Sequence, residues 1–245
     1  MTKQTILTVG TNTLLARNTW EMTLTGDISA ITAPGQFINI ALEGMYLRRP
    51  ISVCDIENGV LTIIYKTVGR GTEAMSSMVP GTQLDVLTGL GNGYDLSKCP
   101  GTPLVIGGGA GVPPMYLLTK KLLASGFTPK VLLGFNTADE IFYVEKFKAL
   151  GVDVFVATAD GSVGVKGFVT DLIPLAGEYS YFFTCGPEPM LKAIYNSTAT
   201  SGQMSFEERM GCGFGACMGC SCETKYGNKR ICRDGPVLEK EEIIW

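Results

Sequence analysis

The chain has 245 residues, of which 45% are hydrophobic and 18% charged, and its formal net charge is −3. This length accommodates two ordinary domains and a small module, and the slightly acidic balance gives no support to nucleic-acid binding. No segment approaches the roughly 18–20 apolar residues of a membrane-spanning helix, and the start, MTKQTILTVG, has no visible signal peptide. We therefore expect a cytoplasmic protein with reduced thiols and no membrane segment.

Residues 1–98 have the pattern of an all-β domain. Short, partly alternating segments rich in β-branched residues are separated by Gly, Pro, Asn and Asp turns; they read TWEMTLTG, GQFINIAL, VLTIIYKTV and TQLDVLTG. Strands at this regular spacing are typical of a small antiparallel barrel. The sequence CPG at positions 99–101 marks the predicted boundary.

Three short motifs in the predicted barrel are suited to a nucleotide. Arg49 can hold a pyrophosphate through forked hydrogen bonds, and Ser52 offers a hydroxyl to a ring nitrogen. The segment GRGT, residues 69–72, resembles an anion-binding nest at a helix start, with Thr72 as a second hydroxyl donor. An arginine pair beside a proline is more often a solvated turn when it stands alone, but the glycine turns further along favour a binding site.

Residues 99–203 alternate between strand and helix patterns. The predicted strands are PLVIGGG, KVLLGFN, DVFVATAD and YSYFFTCGP, and the predicted helices are PPMYLLTKKLLASG, IFYVEKFKALG and EPMLKAIYNST. The strands are continuously apolar, as expected for a parallel sheet covered on both faces. The sequence therefore predicts an α/β nucleotide-binding domain.

Two glycine turns follow strands of this predicted sheet. GGGAGVPP opens a helix at position 107, where free amides and the helix dipole attract phosphate, although the full dinucleotide fingerprint is absent. CGPEPM begins at position 185, and a side chain as small as that of Cys185 would let a nicotinamide ring approach a flavin. A plain turn and a buried structural thiol remain the alternatives. The candidate residues are Gly107, Gly108, Gly109, Gly111, Cys185, Gly186 and Pro187.

Residues 204–245 contain a cysteine-rich module. Cys212, Cys217 and Cys220 follow the C-x4-C-x2-C spacing of plant-type [2Fe–2S] ferredoxins, and glycines surround them. The chain has no histidine, so a Rieske centre is excluded. A zinc ribbon would prefer paired C-x2-C knuckles, and disulfides would need an oxidising compartment. The module predicts an electron-transfer protein with an iron–sulfur cluster.

The fourth ligand is either Cys222 or Cys232. Cys222 would point to the same side of an extended segment as Cys220, but two ligands one residue apart would crowd the cluster. The segment KYGNKR, residues 225–230, is typical of a hairpin turn that brings Cys232 back towards the loop. We therefore prefer Cys232, and Cys222 stays open as a competitor.

Together, these motifs resemble the ferredoxin–NADP reductase superfamily and, within it, the electron-transfer subunits of class 1B dihydroorotate dehydrogenases. The resemblance spans essentially the whole chain and includes EERMGCGFGACMGCSC and CRDGPV. It implies FAD, one [2Fe–2S] cluster and NAD as cofactors. The implied FAD contacts are Arg49, Pro50, Ile51, Ser52, Ile64, Tyr65, Lys66, Gly71 and Thr72, and the implied cluster ligands are Cys212, Cys217, Cys220 and Cys232.

The resemblance also implies a partner, a catalytic subunit that carries FMN and oxidises dihydroorotate, in a heterotetramer. The expected relay runs from partner FMN through the cluster and FAD to NAD+, with no catalytic acid–base residue in this chain. Asn136 stands where many relatives have a basic residue, which favours NAD over NADP. The alternatives are a flavin subunit of a sulfide dehydrogenase or transhydrogenase complex, and a ferredoxin-like carrier with a degenerate nucleotide domain.

Overall fold

The computed structural model describes residues 2–245 and begins with a closed antiparallel barrel. Its six strands follow the order β1-β2-β5-β4-β3-β6 around the barrel. A short helix, α1 (Arg70–Ser76), connects β5 to β6. The strands are β1 (Lys3–Ala16), β2 (Thr19–Gly26), β3 (Phe37–Ile40), β4 (Arg49–Glu57), β5 (Val60–Lys66) and β6 (Gln83–Leu90).

Alternation along the barrel strands separates an inner from an outer face. Ile38 and Ile40 of β3 belong to the barrel core, whereas Phe37 packs outside it with residues of the following domain. Tyr65 of β5 is likewise in the barrel core, and Ile64 packs outside. Successive side chains of a strand point to opposite faces, so the outer faces of β3, β4 and β5 are free to meet the rest of the molecule.

The second part is a seven-stranded sheet in the order β10-β9-β8-β7-β11-β12-β15. All neighbouring strands are parallel except β15, which runs antiparallel to β12. The strands are β7 (Pro103–Gly108), β8 (Lys130–Phe135), β9 (Asp153–Thr158), β10 (Val165–Lys166), β11 (Tyr181–Cys185), β12 (Gly202–Ser205) and β15 (Val237–Glu239). The helices are α2 (Val112–Ala124), α3 (Val144–Ala149) and α4 (Glu188–Ser197).

One core lies on each face of this sheet. On one face, Leu118 of α2 and Phe147 of α3 pack against Val105, Val131 and neighbouring sheet residues. On the other face, Leu191 of α4 packs with Leu104, Leu132 and Phe182. Burial of apolar side chains on both faces is the main stabilising contribution of such a layered domain.

The C-terminal part is packed into the molecule. It contains a hairpin of β13 (Ser221–Thr224) and β14 (Gly227–Arg230), and its Cys220, Ile231 and Cys232 belong to the core on the α4 face of the sheet. Strand β12 crosses the predicted boundary at residues 203 and 204. The three-part division therefore stays a prediction, with strands β12 and β15 joining the second and third parts.

The predicted fold class is confirmed: an antiparallel β-barrel, a parallel-sheet domain and a small C-terminal module. None of the helices within residues 2–245 has both the length and the hydropathy needed to span a bilayer. The predicted helix over residues 141–151 is shorter than expected, because Tyr143 has a left-handed φ of 65° and α3 begins only after it.

Candidate functional site

A cleft of about 160 Å³ lies where all three parts of the molecule meet. The barrel contributes Pro50 and Ser52 from β4, and the sheet domain contributes Cys185 and Gly186 from the end of β11. Met210 reaches the cleft from the cysteine module. Further lining residues are Phe37, Ala110, Gly111, Pro187, Ser205, Phe206, Glu207, Glu208 and Pro236. The cleft is therefore lined by residues of the flavin motif and of both nucleotide turns, and by Met210, which lies two residues before the predicted ligand Cys212.

Arg49 and the GRGT segment are neighbours in space. The Arg49 side chain crosses directly over Gly71, where an added Cβ would lie 2.0 Å from its Nε atom. Only glycine leaves room for this approach. The Thr72 hydroxyl is already engaged, since it accepts from Val68 N at 2.9 Å and donates to Gly69 O at 3.1 Å. The structure thus brings the predicted pyrophosphate arginine to the start of α1, while Thr72 fixes the turn itself.

The segment 64–66 divides between two environments. The Tyr65 hydroxyl donates to Asn12 Oδ1 at 2.8 Å, and the ring is buried in the barrel. On the outer face, Ile64 packs against the sheet domain, and Lys66 pairs with Glu140 at 3.0 Å. Only the backbone of Tyr65 is therefore available to a ligand on the outer face. Ile51 of β4 packs partly against the barrel core.

A second cavity of about 460 Å³ opens at the carboxyl ends of the parallel strands. Gly108 and Gly109 line it after β7, Asn136 lines it after β8, and Pro187 and Met190 line it after β11. Ligands of open α/β sheets bind at this edge. The two predicted glycine turns therefore lie on one crevice, as the sequence indicates.

The two turns are in close contact. A Cβ at Gly111 would lie 2.2 Å from the carbonyl oxygen of Cys185, in the other turn. Within the first turn, a Cβ at Gly107 would lie 3.1 Å from the Cα of Val112. A distance of 2.2 Å between this Cβ and the Cys185 oxygen is far below van der Waals contact, so a side chain at position 111 would push the two turns apart. The close packing of the two turns therefore requires glycine at position 111.

The Cys185 thiol is neutral. Burial raises its pKa to about 12, against the smaller opposite effect of a hydrogen bond with Ser205. A neutral, compact group presents no charge to a ring stacked in the cleft. This environment fits the predicted nicotinamide-facing role.

The four predicted ligand thiols gather as two pairs. Cys212 and Cys217 interact directly, and Cys220 and Cys232 form the second pair. The amides of Ala216 and Cys217 donate to Cys212 Sγ at 3.2 and 3.4 Å, and the Cys232 amide donates to Cys220 Sγ at 3.4 Å. Among residues 2–245, no three Cys, Asp or Glu side chains group as a site for a single metal ion. Two thiol pairs with amide donors aimed at sulfur fit a cluster of two irons.

The surroundings of the loop shift the pKa values of Cys212 and Cys232 in opposite directions. Desolvation raises the pKa of Cys212, but the amides of Phe214, Cys217 and Ala216 outweigh it and lower the pKa to about 6. Burial and the neighbouring Cys220 raise the pKa of Cys232 to about 12. Because only thiolates bind iron, the lowered pKa of Cys212 favours the form that would bind metal, whereas Cys232 would have to lose its proton on binding.

Cys222 has different surroundings. It lines a separate cavity of about 250 Å³ together with Phe206, Leu238 and Trp245. Burial, followed by the Glu208 carboxylate, raises its pKa. Cys232, by contrast, is in contact with Cys220, which supports the preference for Cys232 as the fourth ligand.

Two residues at the site were not singled out from the sequence. Asn39, on β3, donates from Nδ2 to the carbonyl oxygen of Cys212 at 3.4 Å. Glu140 accepts from Lys66 and from Asn136, at 3.0 and 3.1 Å, and also pairs with Arg17. The contact of Asn39 with Cys212 and those of Glu140 with Lys66 and Arg17 join segments distant in the sequence. The only local signal for Asn39 is that it is a polar residue in an apolar strand.

Comparisons with known proteins agree with this architecture. A solved structure described as an NADH-dependent reduced ferredoxin-NADP oxidoreductase superposes with a TM-score of 0.89 at 28% identity, covering 98% of this chain and 90% of that one. The family model for the iron-sulfur cluster binding domain of dihydroorotate dehydrogenase B matches residues 207–244. The fold and the cysteine loop therefore define an iron–sulfur reductase of the ferredoxin–NADP reductase type.

Sequence relatives give the family. The chain is 44% identical to the dihydroorotate dehydrogenase B (NAD+) electron transfer subunit of Fusobacterium nucleatum, with 96% of each chain covered. It is 45% identical to the subunit of the same name from Bacillus pumilus, with 98% of each covered. The chain belongs to the family of dihydroorotate dehydrogenase B (NAD+) electron transfer subunits, which confirms the resemblance seen in the sequence.

Proposed function

We propose that this chain transfers electrons between a catalytic subunit that oxidises dihydroorotate and NAD+, by way of a [2Fe–2S] cluster and FAD. The observation that carries the proposal is the shared cleft. Ser52 of the barrel, Cys185 of the sheet domain and Met210 of the cysteine module line the same cavity. A flavin there would be within reach of both the nicotinamide turn and the cluster loop.

The site residues divide by part of the molecule. For FAD we propose Arg49, Pro50, Ile51, Ser52, Ile64, Tyr65, Lys66, Gly71 and Thr72. For NAD we propose Gly107, Gly108, Gly109, Gly111, Cys185, Gly186 and Pro187. For the cluster we propose Cys212, Cys217, Cys220 and Cys232. The contact between Arg49 and Gly71, the two-turn crevice and the paired thiols support these three sets.

Flavin is the required intermediary, since it exchanges hydride with nicotinamide and single electrons with an iron–sulfur cluster. The protein's part is to bind and orient. Arg49 fixes the pyrophosphate, the glycine turns hold the dinucleotide, and the neutral Cys185 thiol leaves a compact, uncharged surface for the ring. None of these roles moves a proton, so we assign no catalytic acid or base to this chain.

The partner supplies the remaining chemistry. Dihydroorotate oxidation needs its own flavin and base, which we place in an FMN-containing catalytic subunit. We propose that the two subunits form a heterotetramer in the cytoplasm. Within this chain, residues 1–98 bind FAD, residues 99–203 bind NAD, and residues 204–245 hold the cluster. Asn136 in the crevice supports NAD over NADP, because it offers no cation to a 2′-phosphate.

Anaerobic purification and reconstitution test the proposal. The chain should hold about two irons and two labile sulfides per FAD. It should oxidise NADH with artificial dyes, fail to turn over dihydroorotate alone, and gain that activity with the FMN-containing subunit. A preparation that contains zinc, lacks flavin, or oxidises dihydroorotate by itself would refute the proposal.

A further inference from the structure

Asn39 is a buried amide on the outer face of the barrel. It is 1% exposed, and its neighbours in β3, Ile38 and Ile40, point into the barrel core. Asn39 therefore faces away from that core, towards the cysteine module. A buried amide destabilises a fold unless it is hydrogen-bonded, so its partners indicate what it does.

The Asn39 amide holds the cysteine loop. Its Nδ2 atom donates to the carbonyl oxygen of Cys212, and a Cβ built at Gly213 would lie 2.2 Å from the same nitrogen. Among residues 2–245, this is the only hydrogen bond between the barrel and residues 207–219. The barrel thus hydrogen-bonds to the loop through one side chain, at the first proposed cluster ligand.

The same strand reaches the proposed flavin site. Phe37, two residues earlier on the same face, lines the central cleft with Ser52. Asn39 itself pairs in register with Pro50, a residue of the proposed flavin motif. One face of β3 therefore touches both the flavin-binding strand and the cluster loop.

The stability of the fold does not explain why an asparagine occupies position 39. Its Oδ1 atom is buried and has no hydrogen-bond partner. An unpaired buried acceptor destabilises a fold, so an apolar residue of the same size should be at least equally stable there. What a leucine could not provide is the N–H donor to Cys212 O.

We propose that Asn39 is a positioning residue that fixes the cluster loop against the flavin-binding strands. This inference rests on the proposed function. The four loop thiols would hold a cluster that passes one electron at a time to or from the flavin, and two such transfers would balance each hydride that the flavin exchanges with nicotinamide. Asn39 takes no part in that exchange, and holds the loop so that the separation between cluster and flavin is constant.

Two variants of the full reconstituted chain test the role, Asn39→Leu and Asn39→Asp. Both lose the donor; aspartate also adds negative charge beside the loop and should lower the midpoint potential of the cluster. The matched control is Thr119→Val, which removes a buried hydroxyl that donates to Met115 O at 2.8 Å inside α2, away from the loop.

We expect Asn39→Leu to melt at or above the wild-type temperature with full FAD content. Its iron should be lost to a chelator about tenfold faster, and the EPR g-values of the reduced cluster should change. Stopped-flow mixing with NADH should give unchanged flavin reduction and about tenfold slower cluster reduction. Thr119→Val should match wild type in all these measurements except a slightly lower melting temperature.

Unchanged iron release, EPR and potential in both Asn39 variants would overturn the positioning role, as would equal changes in Thr119→Val. If Asn39→Leu does not fold, the same measurements on Asn39→Asp test the positioning role. A wild-type chain without iron or FAD would instead refute the proposed function, so the two failures are distinguishable.

Discussion

Lys66 Nζ lies 3.0 Å from the Glu140 carboxylate, and this contact ties the barrel to the sheet domain. Glu140 is 7% exposed and also pairs with Arg17 of the barrel. On its other side it accepts from Asn136 Nδ2 at 3.1 Å, in the crevice of the parallel sheet. A lysine of the proposed flavin site and an asparagine that lines the crevice of the parallel sheet thus share one buried carboxylate.

Replacing Glu140 with glutamine should destabilise the protein. The change leaves Lys66 without its charged partner, and removal of one member of a buried pair is strongly destabilising. Since Arg17 is half-exposed and can be rehydrated, we expect a loss of about 2 kcal/mol in the free energy of unfolding. Urea denaturation of the cofactor-free chain, followed by tryptophan fluorescence, measures this loss.

Glu145→Gln is the matched control. Glu145 pairs with Lys148 at 2.8 Å on the surface of α3, where its side chain is 83% exposed. Such a pair contributes little, so the midpoint of unfolding should move by less than the equivalent of about 0.5 kcal/mol. Equal effects of the two substitutions would contradict a special role for the Glu140 contact.

The contribution of Glu140 to the stability of the fold should decrease as the pH falls. Burial raises its pKa, but Arg17 and Lys66 outweigh burial, so the folded-state pKa is lowered overall. A carboxyl group with a lowered folded-state pKa stabilises the fold fully above its unfolded pKa of about 4.3. This stabilisation is lost as the pH falls through the folded-state value.

Melting temperatures of wild type and Glu140→Gln between pH 3 and pH 8 give the measurement. The difference between them should be constant near neutral pH and shrink on acidification below about pH 4. A difference that grew on acidification would show that Glu140 is not held as a carboxylate by its two cations.

Serine substitutions should separate Cys232 from Cys222. Cys232 is in contact with Cys220, whereas Cys222 lines a cavity with Trp245. We expect Cys232→Ser to lose most of its iron and visible iron–sulfur absorbance, and Cys222→Ser to retain about two irons per chain. Iron and sulfide assays after identical reconstitution provide the comparison, and the reverse result would make Cys222 the fourth ligand.

The motifs could be predicted because their chemistry is local in the sequence. The cysteine spacing indicates the cluster, and the glycine turns follow directly from their strands. Contacts such as that of Asn39 with Cys212 could not be predicted from the sequence. The two residues are 173 positions apart, and no local pattern selects one partner among many. Glu140 and Lys66, 74 residues apart, are a similar case.

Local strand and helix assignments differed from the structure for identifiable reasons. Strand β1 extends over 14 residues where the sequence pattern predicts no strand, since polar Asn and Thr residues interrupt its apolar alternation. The helix predicted from residue 141 begins only at Val144, because Ile141 and Phe142 are used in packing between α2 and β8 and Tyr143 adopts a left-handed turn. In both places tertiary contacts outweigh local propensity.

Gly111→Ala should weaken NADH binding without loss of FAD. The new methyl group would lie 2.2 Å from the Cys185 carbonyl oxygen, so the two turns of the nucleotide crevice must separate. When groups that orient a substrate are displaced by about 1 Å, the reaction rate can fall about 100-fold. We expect the KM for NADH in dye reduction to rise at least about tenfold, with the flavin absorbance of the purified chain unchanged.

Gly126→Ala controls for stability alone. Gly126 follows α2 with a left-handed φ of 84°, and open space surrounds the position of its missing Cβ. Alanine there should destabilise the fold by about 1 kcal/mol through backbone strain and leave the KM for NADH unchanged. If Gly111→Ala altered only the melting temperature, as expected for Gly126→Ala, then the contact between the two turns would serve packing and not the binding of the dinucleotide.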